Sequence, residues 1–83
     1  MMNLVEQCIT IAREAEVKGI LTDLVTLAKE RGFLHEIAQR PEGFAGYAVL
    51  YERTIGAYVE AQVVTIDMLC EWVDEIIKQC LQA

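Results

Sequence analysis

Few side chains in this 83-residue chain could do chemistry, and their spacing decides what kind. The nucleophile and ligand candidates are Cys8, Cys70, Cys80 and a single histidine, His35. A zinc site would require His35 and the scattered cysteines to converge from unrelated helices. A carboxylate di-iron bundle needs Glu-x-x-His pairs on facing helices, and the sequence has no such pair. Cys70 stands beside Glu71, an anion that raises a thiol pKa and quenches its reactivity. Cys8 and Cys80 fall on apolar helical faces, so all three thiols read as core filler. His35 lies in a short amphipathic turn beside Glu36 and reads as an exposed or packed residue. No GxSxG, GxGxxG or Walker sequence occurs, and no Gly-rich loop could cradle phosphate. The expectation is a protein that is not an enzyme, with no metal and no cofactor.

The remaining chemistry suits recognition. Within Gly43–Gln62, the residues Phe44, Ala48, Tyr51, Ile55 and Tyr58 recur at 4-3-4-3 spacing, the pattern of a packing seam. Tyr47 and Thr54 lie on one flank of that stripe and Val59 on the other. Tyrosine suits such an edge, because its ring is buried while its hydroxyl stays wet or paired. Tyr47, Tyr51 and Tyr58 are therefore the candidate partner contacts, since tyrosine is also enriched at interface cores. Gly43, Gly46 and Gly56 favour close backbone approach, at a cost in helix propensity. Further along, Asp67, Glu71, Asp74 and Glu75 are answered only by Lys78. They read either as a solvated face or as an acidic docking surface for a basic groove.

These residues must be positioned by helices. The apolar spacing is helical nearly throughout. Leu4, Cys8, Ile11, Ala12 and Ala15 form one stripe, and Ile20, Leu21, Leu24, Leu27 and Ala28 form a second. On a continuous helix the two stripes would be centred roughly 170° apart. A break between Val17 and Ile20 resolves the conflict, with Gly19 closing one helix and Thr22 and Asp23 opening the next. The alternative is one long helix held between two partners. "LAKERGF" then stops the second helix at Gly32, with Phe33 folding back on Leu27 or Ala28. "FLHEIAQ" reads as a short helical turn, and Pro41 and Glu42 open the longest helix, to Gln62. Thr65 caps a last helix from Ile66 to about Leu81. On it Ile66, Leu69, Val73, Ile76, Ile77 and Cys80 face inward. The predicted fold is all-α: a small compact bundle of four helices plus a short linking turn, one domain over 1–83.

Composition bounds the function. Apolar residue types make up 54% of the chain, more than an ordinary globular domain carries, so the surplus must be covered. For a chain this small, burial and ordering terms nearly cancel, and self-association or a partner is the natural remedy. A net charge of −6 disfavours direct nucleic-acid binding and attraction to anionic lipid. It favours a protein partner with a basic surface. The opening "MMNLVEQCITIAREAEVKG" resembles neither a secretory signal nor a membrane anchor. Three cysteines without CxxC spacing indicate a reducing, cytoplasmic setting.

The sequence thus points to a self-associating, homo-oligomeric interaction or regulatory module. A second reading is a stoichiometric inhibitor of the phage-encoded kind, laying its acidic helix in the basic groove of a nucleic-acid-handling enzyme. A third is a carrier for an apolar small molecule held inside the bundle.

Overall fold

The structure is a computed structural model that describes residues 3–82; Met1, Met2 and Ala83 lie outside them. Asn3 starts the chain's first helix with a reciprocal capping box. Its side chain accepts from the Glu6 amide at 2.8 Å, and the Glu6 carboxylate accepts from the Asn3 amide. From there α1 runs unbroken over Leu4–Glu30. It stops where the sequence says it should. Gly32 takes φ 85°, its amide reaches the Lys29 carbonyl, and the Phe33 amide reaches that of Ala28 at 2.7 Å. That pair of bonds satisfies the last carbonyls of the helix.

The expected break at Gly19 does not occur. Gly19 keeps a helical backbone, and Thr22 caps nothing; its hydroxyl donates to the Lys18 carbonyl at 2.8 Å, one turn back. The stripes need no reconciling, because the first faces solvent and the second lines the core only in part: Leu21 is buried, Ile20, Leu24 and Ala28 are half-buried, and Leu27 is exposed. Val17, Leu21 and Val25 are sealed in the core, while Leu4, Cys8, Ile11, Ala12 and Ala15 stay exposed. Two expected helices are fused into one.

The converse correction falls on the expected long helix over 42–62, which is split. α3 covers Pro41–Tyr51 and α4 covers Arg53–Glu60, with Glu52 extended between them at φ −97°, ψ 107°. The Glu52 carboxylate accepts from the Thr54 amide at 3.2 Å and so caps α4. Gly56 shows why the two pieces diverge. A Cβ built on it would lie 2.6 Å from the Val49 carbonyl oxygen. Seven residues along a straight helix are about 10 Å apart, so α4 folds back across α3 and needs glycine at the crossing.

α2 is the short turn Leu34–Gln39, and α5 covers Ile66–Gln82. The Thr65 hydroxyl accepts from the Met68 amide at 3.2 Å, as the expected cap requires. The loop before it carries a second left-handed stop. Gln62 sits at φ 62°, with its amide on the Val59 carbonyl and the Val63 amide on that of Tyr58. The fold is all-helical among the described residues: four longer helices and one short linking turn, partitioned differently from the expectation.

All five helices contribute to one core, with α1 and α3 packed on α5. Ala45 and Ala48 are fully buried, small enough to let α3 approach closely. Leu69, Val73, Ile76 and Ile77 face inward as expected, but Ile66 is exposed and Trp72 joins the core instead. The body measures 42 × 26 × 17 Å. Twenty-seven residues of α1 span about 40 Å, so this helix sets the long axis. The radius of gyration is 13.2 Å, against about 11.8 Å for a compact domain of this length.

Candidate interaction surfaces

The three tyrosines do not share a face. Tyr51, expected inside the seam, is 69% exposed, whereas Ile55 is completely buried. The extended Glu52 between them breaks the 4-3-4-3 register, so the two side chains part company. Tyr51 instead stacks on Tyr47, with ring centroids 4.7 Å apart and planes tilted by 40°. Tyr47 is exposed as well, and its ring continues into an open groove of about 460 Å³. Leu27, Phe33, Phe44 and Ile37 line that groove, and Arg31 and Glu36 stand at its rim. Phe33 lines the groove together with Leu27 and Ala28 and stays half-exposed there. The groove is a surface feature, not an enclosed chamber inside the bundle.

Tyr58 has a different role. It is half-buried, and its hydroxyl donates to the Glu16 carboxylate at 2.7 Å, tying α4 to α1. Arg13 lies 5.9 Å from the ring centre, over the same ring. The bond to Glu16 holds the phenol pKa above its ordinary value, with desolvation and the carboxylate charge adding to the rise.

On α5, Asp67, Glu71 and Glu75 are exposed, and Asp74 is half-buried. Asp74 pairs with Lys78 at 2.8 Å one turn on, which keeps the Lys78 ammonium charged to higher pH. The other face of this helix receives cations from α1. Lys18 sits 4.9 Å over the Trp72 ring, and the Lys29 ammonium donates to the Cys80 carbonyl at 3.2 Å. Lys29 thereby compensates the negative end of α5, which has no basic residue in its own last turn. Neither contact was foreseen, since a cation serving a distant helix leaves no local spacing signal.

Cys8, expected in the core, is exposed; Cys70 and Cys80 are half-buried. Burial raises the Cys70 thiol pKa first, and the charges of Glu42 and Asp67 add to it. His35 is exposed and shares a 3.2 Å hydrogen bond with Gln39. Among the described residues no three His, Cys, Asp or Glu side chains converge as metal ligands would. No described helix is long and apolar enough to cross a membrane.

A further exposed apolar feature lies on the first stripe of α1. Leu4, Val5 and Ile11 are 75%, 66% and 65% exposed on the N-terminal half of α1, with Cys8, Ala12 and Ala15 exposed between them. This arm turns its stripe away from the face that carries Val17, Leu21 and Val25 into the core. The chain matches no protein-family model, and no curated protein or solved structure resembles it.

Proposed function

We propose that this chain is a small acidic interaction module of the cytoplasm, self-associating and without catalysis, that offers apolar and tyrosine-edged surface to another protein. One observation carries the reading. The chain exposes 5907 Å², whereas a compact protein of its mass exposes about 5,000 Å². The surplus of about 900 Å² is close to what one partner contributes to a standard protein–protein interface. Exposed apolar groups are gathered in two places: the arm stripe at one end, and Phe33 with the Tyr47–Tyr51 pair at the groove.

The acidic face of α5 favours a second reading, a stoichiometric inhibitor seated in a basic groove, because Asp67, Glu71 and Glu75 all reach solvent. Salt separates the two. Sedimentation velocity over a wide concentration range, at low and moderate ionic strength, tests the first reading. Association that persists as salt is added supports an apolar interface. A chain that stays monomeric at every concentration and salt overturns self-association. The double substitution Glu71→Lys with Asp74→Lys would abolish an electrostatic inhibitor and leave apolar association intact.

A further inference from the structure

We propose that the exposed stripe on α1 pairs with the same stripe of a second copy, antiparallel, about a two-fold axis between Ile9 and Thr10. This rests on the self-associating reading above and specifies its surface and register.

The spacing carries the geometry. Leu4, Cys8, Ile11 and Ala15 recur at 4-3-4, and that order is unchanged when read backwards. Reversing one copy about the centre sets Leu4 against the partner's Ala15 and Cys8 against the partner's Ile11. Each layer thus meets a large side chain with a small one, as a close-packed seam between helices requires. Such pairing is also self-complementary, the condition for a closed two-fold dimer.

The surface is free to do this. α1 is continuous, and its buried residues Val17, Leu21 and Val25 are centred roughly 120° around the helix from the stripe, which leaves the stripe open to a copy. Glu6 is engaged with Asn3, and Glu16 with Tyr58, so neither acid is aimed across the seam. A basic partner has nothing to pair with on this uncharged stripe, whereas an identical stripe matches it. With Leu4 and Ile11 75% and 65% exposed and Cys8, Ala12 and Ala15 exposed between and beside them, roughly 400–600 Å² per copy is available to be covered. The total of about 800–1,200 Å² brackets the ~1,000 Å² that marks a specific interface, and a patch this size is in the upper part of the range for a monomer.

Two measurements on the full chain test the pairing. Ile11→Glu would place a charge in the centre of the seam, on a side chain that the protomer core does not use. It should weaken dimerisation roughly tenfold or more, while a charge at an exposed apolar position away from the stripe, Ile66→Glu, leaves it unchanged. Register is read by cross-linking with a short bis-maleimide in a Cys8→Ser background, which supplies the reference level. Mixed Leu4→Cys and Ala15→Cys chains should cross-link efficiently. Leu4→Cys alone should not, because the two thiols would lie about 16 Å apart along the axis. Cross-linking of Leu4→Cys alone, or a dimer indifferent to Ile11→Glu, overturns the pairing while the self-associating reading stands. A wild-type chain that never dimerises overturns both.

Discussion

Gly19 and Gly56 both sit inside helices, yet replacing them with alanine should move stability in opposite directions. At Gly56 the added Cβ would stand 2.6 Å from the Val49 carbonyl oxygen, closer than real Cβ atoms come to anything. The obstacle is backbone, so α4 must shift relative to α3. Overpacking of this kind costs about 1–3 kcal/mol, and an unyielding backbone partner places it in the upper half. Alanine's helix propensity returns about 1 kcal/mol. The net loss is about 1–2 kcal/mol, which in a domain this small lowers Tm by roughly 4–15 °C. At Gly19 nothing lies within 4 Å of the new Cβ, and the backbone is already helical. Gly19→Ala should therefore stabilise by about 0.5–1 kcal/mol, raising Tm by roughly 2–8 °C. Urea unfolding followed by far-UV circular dichroism and Trp72 fluorescence, at one fixed protein concentration, reads both. A straight helix over 42–62 would make Gly56→Ala stabilising. A helix stop at Gly19 would make Gly19→Ala destabilising. Either sign refutes the corresponding part of the fold.

The divided seam predicts that Ile55→Ala costs about 2–5 kcal/mol, whereas Tyr51→Ala stays within about 0.5 kcal/mol in the same unfolding assay. Equal costs would mean the two side chains share one environment. Gln62→Gly should stabilise by about 1 kcal/mol, because a left-handed position strains every residue that carries a Cβ; a destabilised variant would rule that backbone out. Tyr58 should ionise above the ordinary phenol value of about 10. A raised folded-state pKa means that its bond to Glu16 supports the fold below that value and is lost as pH climbs through the folded one. Tyr58→Phe should remove an absorbance step that lies above the ordinary phenol value, and an unchanged alkaline titration would count against the bond.

Helix ends with explicit chemistry were legible in the sequence. Gly32 followed by Phe33, Pro41 at the start of α3 and Thr65 before α5 each satisfy orphan backbone groups locally, and each is found where expected. The helix end near Gln62 was legible, but its left-handed backbone was not, because glutamine is no left-handed former. The split at Glu52 left no local trace either. Its cause is the crossing of Gly56 over Val49, a contact across seven residues that periodicity reads as one uninterrupted helix. Trp72 went unassigned for a similar reason: its ring is covered in part by Lys18, from the far end of the chain.

The two apolar stripes of α1 show how one observation supports two folds. Stripes on opposite faces either belong to two helices that turn toward one core, or to one helix with work on both sides. The angle alone does not decide, since roughly 170° is equally large in both cases. What decides is whether the chain holds a terminator between them. Gly19 can serve as one but is not compelled to, because glycine inside a helix costs only about 1 kcal/mol. A true stop also needs the next helix to be capped, and Thr22 spends its hydroxyl on the Lys18 carbonyl instead. Once α1 is continuous, burying the first stripe within the same molecule would require an element on the far side of the helix. Every described helix that packs on α1 stands on the other side. The continuous helix therefore leaves the first stripe exposed within a single chain, which is the observation that the proposed pairing rests on. The length of the exposed stripe, three turns from Leu4 to Ala15, sets how much of a second copy the proposed pairing can cover.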